Sequence, residues 1–141
     1  MFPRKKFALT AGGLLSAAIA VACTTAQAAP DRAANSEARM QKLLEGKVAG
    51  PAEDCLPTYR TADMVTIDDR TILFRDGSSR VYVNHPRDTC SGLSTGWYTL
   101  VTRGFAGARL CRGDIAHVTD IRNGAVVGGC VLGDFVPYTR P

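Results

Sequence analysis

The sequence predicts a mostly β fold: a small antiparallel β-barrel or sandwich of about 6–8 short strands, preceded by a short helix and held by two disulfides. Three observations carry this. From Cys55 onward, short runs of β-branched, aromatic and aliphatic residues alternate with turns rich in Gly, Asp, Asn and Pro. Two of those turns, Asp76-Gly77-Ser78-Ser79 and Asn123-Gly124, read as hairpins. Four cysteines stand in the same region, Cys55, Cys90, Cys111 and Cys130, an even number suited to crosslinks in a small exported domain.

The export reading comes from the first 28 residues. Arg4, Lys5 and Lys6 form a basic start, no charge follows from Phe7 to Cys23, and Ala26-Gln27-Ala28 supplies small residues for cleavage. The apolar run is short for a spanning helix and is broken by Gly12-Gly13, so no membrane span is expected after processing. Two other readings attach to the same segment. Ala20-Val21-Ala22 before Cys23 loosely resembles a lipobox and makes Cys23 a lipidation candidate, although the usual leucine is absent. Arg4-Lys5-Lys6-Phe7 faintly resembles a twin-arginine signal. The expected location is the periplasm or the extracellular space, or else a membrane to which an acylated Cys23 tethers the chain.

Charge changes meaning once that segment is set aside. Taking its three cations from the 17 Lys+Arg leaves 14 against 13 Asp+Glu, so the basic balance belongs largely to the leader. No run of like charge remains, which speaks against nucleic acid as a partner. Residues 29–54 read as a leader carrying a short amphipathic helix, roughly Ser36 to Gly46. Met40, Leu43, Leu44 and Val48 recur at helical spacing, Asn35 or Ser36 can cap the start, and Gly50-Pro51 ends the pattern.

Residues 55–141 form the expected β domain. Its strands are Met64 to Ile67, Thr71 to Arg75, Arg80 to Asn84, Trp97 to Thr102, Ile115 to Arg122, Ala125 to Cys130 and Phe135 to Tyr138. In the first hairpin Ile72 and Phe74 share a face, and Val81 and Val83 alternate with a more exposed Tyr82. For the second hairpin, a two-residue turn at Asn123-Gly124 predicts Arg122 opposite Ala125, Ile121 opposite Val126 and His117 opposite Cys130; a bulge at Gly128-Gly129 would spoil that register.

The cysteines are separated by 35, 21 and 19 positions with no C-x-x-C pair, which disfavours a zinc site and favours two disulfides. Four cysteines allow three pairings and spacing does not choose among them. Cys55–Cys130 with Cys90–Cys111 serves as the working expectation. No metal and no cofactor are expected.

Chemistry-bearing residues are few. A free Cys130 beside His117 would be an activated nucleophile, against the plainer reading of a disulfide with a packed histidine. Asp68-Asp69 with Asp76, or Asp88 near His85, offer paired carboxylates, but each sits where a turn favours Asp for local hydrogen bonding. Trp97, Tyr98 and Tyr82, with Phe105 and Tyr138, are candidate binding-face aromatics for a glycan or a protein. No nucleophile elbow, zinc-protease motif, P-loop or dinucleotide fingerprint occurs.

The order of short motifs resembles a family of small exported proteobacterial proteins of unknown function. It rests on Ile67-Asp-Asp-Arg-Thr-Ile-Leu-Phe74, Val81-Tyr-Val-Asn84, Cys90-Ser-Gly-Leu93, Leu110-Cys-Arg-Gly-Asp-Ile115 and Cys130-Val-Leu-Gly-Asp-Phe-Val-Pro137. Ser91 stands where that family usually has proline. The resemblance implies one domain framed by the four cysteines in a Gram-negative envelope, and some relatives look like lipoproteins. It brings no activity. The expectation is therefore a non-enzymatic binding or structural envelope protein, its partner an envelope protein or a glycan. The alternatives are a secreted hydrolase inhibitor using the loops Asn84 to Thr95 or Thr102 to Leu110, and a small enzyme using His117 or Asp68/Asp69.

Overall fold

The computed structural model describes residues 28–61, 63–102 and 109–141, the side chains of 28–31 and 58 excepted. The expected signal segment, Cys23, Phe105 and most of the loop before Leu110 lie outside them. The described chain runs α1 (Ala28–Leu44), β1 (Val48–Ala49), β2 (Cys55–Pro57), β3 (Met64–Asp68), β4 (Thr71–Asp76), β5 (Arg80–Asn84), β6 (Tyr98–Thr102), β7 (Arg109–Cys111), β8 (Ile115–Asp120), β9 (Val126–Val131) and β10 (Phe135–Thr139). Short 3₁₀ turns occupy Thr58–Arg60 and Leu93–Thr95. All described pairings are antiparallel, in a five-stranded sheet ordered β1-β10-β5-β4-β3, a pair β2-β7, and a three-stranded sheet β6-β8-β9. Among the described residues none of the sheets closes on itself.

Strand alternation gives the large sheet two apolar faces. Ile72, Phe74, Tyr82 and Phe135 enter the main core, where they meet Leu56 and Leu110 of β2-β7 and Leu100, Ala116, Val118 and Cys130 of the small sheet. Leu73, Val81 and Val83 face the other way and are covered by Met40, Leu43 and Leu44 of α1. The apolar stripe of the helix is thus a packing face, and the segment expected as a leader belongs to the packed unit. Val48 is not part of that stripe; it is exposed in β1 and pairs with Thr139.

The helix begins at Ala28, well before the expected Ser36. Ser36 does not cap it: its hydroxyl donates to Ile67 O at 3.0 Å, and Arg39 Nη1 donates to Thr66 O at 3.0 Å, fixing α1 along β3. Alanine-rich sequence with Pro30 near the start extends the helix backward without needing a side-chain cap at Ser36.

Tyr82 corrects another expectation. It is fully buried, because the face opposite α1 is itself covered by the core. Its hydroxyl accepts from Arg60 Nη1 at 2.9 Å, so its one polar atom is satisfied.

The bridges are Cys55–Cys111 and Cys90–Cys130, not the nested Cys55–Cys130 and Cys90–Cys111. Short β2 and β7, which the sequence pattern does not reveal, place Cys55 and Cys111 directly opposite each other. With separations of 56 and 40 residues, each bridge is worth about 4 kcal/mol in the chain-entropy model. Bridges of this kind indicate an oxidising compartment. Among the described residues no helix is long and apolar enough to cross a membrane.

Candidate functional site

The second hairpin does not follow the two-residue turn. Asp120 N donates to Ala125 O and Gly124 N to Asp120 O, both at 2.8 Å, so four residues, Ile121 to Gly124, form the loop. A bulge then shifts β9: Thr119 pairs with Val126 but Val118 with Gly128, which leaves His117 opposite Gly129 and Ala116 opposite Cys130. Asp120 explains the larger loop. Its carboxylate accepts from Arg122 N at 2.8 Å, Arg122 Nε at 3.0 Å and Arg122 Nη2 at 2.6 Å, a local network that outcompetes the tighter turn. The Arg122 side-chain hydrogen bonds, then its backbone N–H, hold the Asp120 carboxyl down at about 2.

The same network seats Trp97. The Arg122 guanidinium carbon lies 5.5 Å from the indole centroid, and Ile121 N donates to Trp97 O at 3.1 Å. Of the three candidate aromatics, Trp97 is exposed, Tyr98 packs partly against the main core, and Tyr82 is buried. They do not form one face.

What the small sheet presents outward is mainly aliphatic, with His117 and Thr119 among it. Leu100, Ala116, Val118 and Cys130 point to the core, so their neighbours Val101, Ile115 and His117 point out. Val101, His117, Thr119, Gly124 and Val126 line a shallow depression of about 310 Å³. Val126 and Val127 are 62% and 54% exposed, two adjacent valines open to solvent in β9. β9 is also an edge. Leu132 N donates to Asp114 O, so alternation turns the backbone groups of Leu132, Cys130 and Gly128 toward β8 and those of Val131 and Gly129 away, up to the bulge at Val127. Val131 is met by Asp88 Oδ1 and Arg87 N. Beyond it, Gly129 looks onto an open edge, with no described strand beside it. No charged residue or proline lies in Val126–Val131, so within the strand the bulge is what guards this edge.

The acidic candidates are occupied by turns. Asp68 Oδ1 accepts from Arg70 N at 2.7 Å. Asp69 accepts from Gly92 N at 3.1 Å and Ser94 N at 2.6 Å, and its carbonyl takes Cys90 N at 2.8 Å. Burial alone would raise the Asp69 carboxyl, but the Ser94 and Gly92 hydrogen bonds outweigh it and leave the group below its usual value. Asp76 pairs with Arg60, and Asp88 serves Val131. His117 and Asp68/Asp69 line separate depressions and do not converge. Cys130 is bridged and faces the core while His117 faces out, so they do not form a thiol–imidazole pair. Among the described residues no group of His, Cys, Asp and Glu is placed to hold a metal. The loop Asn84 to Thr95 is tied down through Asp69 and Cys90, unlike a protruding inhibitor loop.

Sequence reasoning missed Asn84. Fully buried at the end of β5, its Nδ2 donates to Gly133 O at 2.7 Å and Asp134 O at 3.1 Å, and its Oδ1 accepts from Gly133 N at 3.2 Å. Its place at the end of a hydrophobic run gave the only available signal.

Fold and site together define a disulfide-crosslinked, mostly β domain with one helix and an aliphatic outer face on its small sheet. Comparison with protein-family models, curated proteins and solved structures gives no match.

Proposed function

We propose that this protein is an exported, non-enzymatic binding module of a Gram-negative cell envelope, and that the outer face of β6-β8-β9 docks a protein partner. The observation that carries the reading is β9: Val126 and Val127 are exposed beside an uncharged edge at which the backbone groups of Gly129 face outward. Exposed apolar area joined to an open edge suits a protein surface or an extended segment added to the sheet. A glycan is less well served. Trp97 is an exposed aromatic, but its ring already stacks on Arg122, and the rest of the face is mainly valine, isoleucine and glycine backbone, with His117 and Thr119 as its polar side chains.

Export brings the chain to a compartment where its bridges form, and the amino-terminal segment supplies the signal. Release after Ala28 yields a free domain, whereas acylation at Cys23 yields a tethered one. The docking claim is tested by a photo-crosslinking residue at Val127, with Ser78 on the β4–β5 turn as the control, in the native host. A discrete adduct from position 127 and none from 78 supports the reading. Equal or absent crosslinking at both positions overturns it.

A further inference from the structure

We propose that the Cys55–Cys111 bridge is a thiol-exchange site, opened by a dithiol reductant while the domain stays folded, and that Cys90–Cys130 is its inert structural counterpart. The two bridges differ in placement. Cys90 and Cys130 are 0% and 1% exposed within the main core. Cys55 and Cys111 are both partly exposed. The reason is strand alternation in β2-β7. Leu56 and Leu110 face each other and are driven inward, 0% and 1% exposed, so the neighbouring cysteines are turned toward solvent. Exchange requires an incoming thiolate to reach a bridge sulfur, and access decides which bridge it reaches.

The surroundings hold the corner when the bridge opens. Pro57 pairs with Arg109 and Leu56 with Leu110. Beyond the cysteines, Arg112 N donates to Asp54 O at 2.7 Å, and the Arg112 guanidinium reaches Asp54 at 3.3 Å and Asp134 at 3.1 Å. Glu53 exchanges backbone hydrogen bonds with Phe135 at 2.8 and 3.0 Å. Each end of β2 is thus tied independently of the sulfurs. Opening costs the covalent clamp but not the burial of Leu56 and Leu110.

The chemistry balances as a two-electron exchange. A reductant thiolate attacks one sulfur, forming a mixed disulfide and expelling the other cysteine as a thiolate, which takes a proton from water. The second thiol of the reductant then attacks its own sulfur in the mixed disulfide and releases the first cysteine. The reductant leaves as a disulfide and the protein holds two thiols. An oxidising dithiol-disulfide partner runs the same steps backward, so the substrate class is a protein dithiol or a small dithiol.

The test uses the folded full chain, exposed to dithiothreitol for graded times, quenched with iodoacetamide and mapped cysteine by cysteine by mass spectrometry. Far-ultraviolet circular dichroism is followed in parallel. Cys55 and Cys111 are expected to be alkylated roughly tenfold or more faster than Cys90 and Cys130, with the spectrum unchanged. A common rate, earlier opening of Cys90–Cys130, or loss of the spectrum with the first bridge overturns the proposal. A Cys55→Ala/Cys111→Ala variant is expected to fold and to keep Cys90–Cys130 closed. Its failure to fold would show that the domain cannot outlast the open bridge, and would also overturn it.

Discussion

Replacing Asn84 tests how the end of the five-stranded sheet is locked. The side chain is fully buried and makes three hydrogen bonds to the backbone of Gly133 and Asp134. In Asn84→Ala the Gly133 N–H loses its acceptor inside the protein. An orphaned buried group costs about 1–3 kcal/mol, and two carbonyls lose a donor besides. A total near 3 kcal/mol is expected, which at this chain length lowers Tm by roughly 10 °C. Asn84→Asp is the sharper variant. It keeps an acceptor for Gly133 N but sets a second carboxylate oxygen against two carbonyls, at positions now 2.7 and 3.1 Å from a donor. Its destabilisation should exceed that of alanine at neutral pH and shrink as the carboxyl protonates. Urea unfolding followed by circular dichroism, with the disulfides intact, measures both variants. If Asn84→Ala loses less than about 0.5 kcal/mol, or Asn84→Asp matches the wild type at pH 7, the locking role is refuted.

Gly133→Ala should be at least as damaging, by about 2–3 kcal/mol or more, because a Cβ there would overlap the His85 carbonyl oxygen, which is backbone and cannot rotate away; thermal melts of the variant check this. The Asp120 carboxyl is held at about 2 by the Arg122 side-chain bonds and then by Arg122 N, below its unfolded value. Its stabilisation is therefore complete above about pH 4 and lost as pH falls toward 2, and Asp120→Asn should flatten that acid limb in melts across pH. Val127→Lys lies on exposed edge and should change stability by less than about 0.5 kcal/mol while abolishing partner capture by neighbouring crosslinkers. A parallel loss of stability and capture would mean that the face is structural.

The hairpin Thr71 to Asn84 was legible because both strands are dense in β-formers and Gly77 takes φ 67 in the turn. The stripe of Met40, Leu43 and Leu44 was legible for the same kind of reason, a period that matches the helix. The short strands β1, β2 and β7 were not, because two or three residues carry no period and their pairing is set by distant partners. That gap propagated to the disulfides, since Cys55 meets Cys111 only through β2-β7. Tyr82 was misplaced because alternation says which residues share a face but not how many faces are covered. At the second hairpin Asn123-Gly124 suggested the tightest turn, and the local bonds of Asp120 to Arg122 selected a longer one. The edge at β9 follows from sheet order, which the residues of β9 alone do not encode.

The most direct measurement is the intact mass and non-reducing peptide map of the protein taken from its native host, with alkylation before and after reduction. An exported chain shortened at Ala29, or acylated at Cys23, with no alkylatable thiol before reduction and crosslinked peptides joining Cys55 to Cys111 and Cys90 to Cys130, is the predicted result. A full-length chain with free thiols, or bridges joining Cys55 to Cys130, would contradict the account of an exported domain clamped at β2-β7.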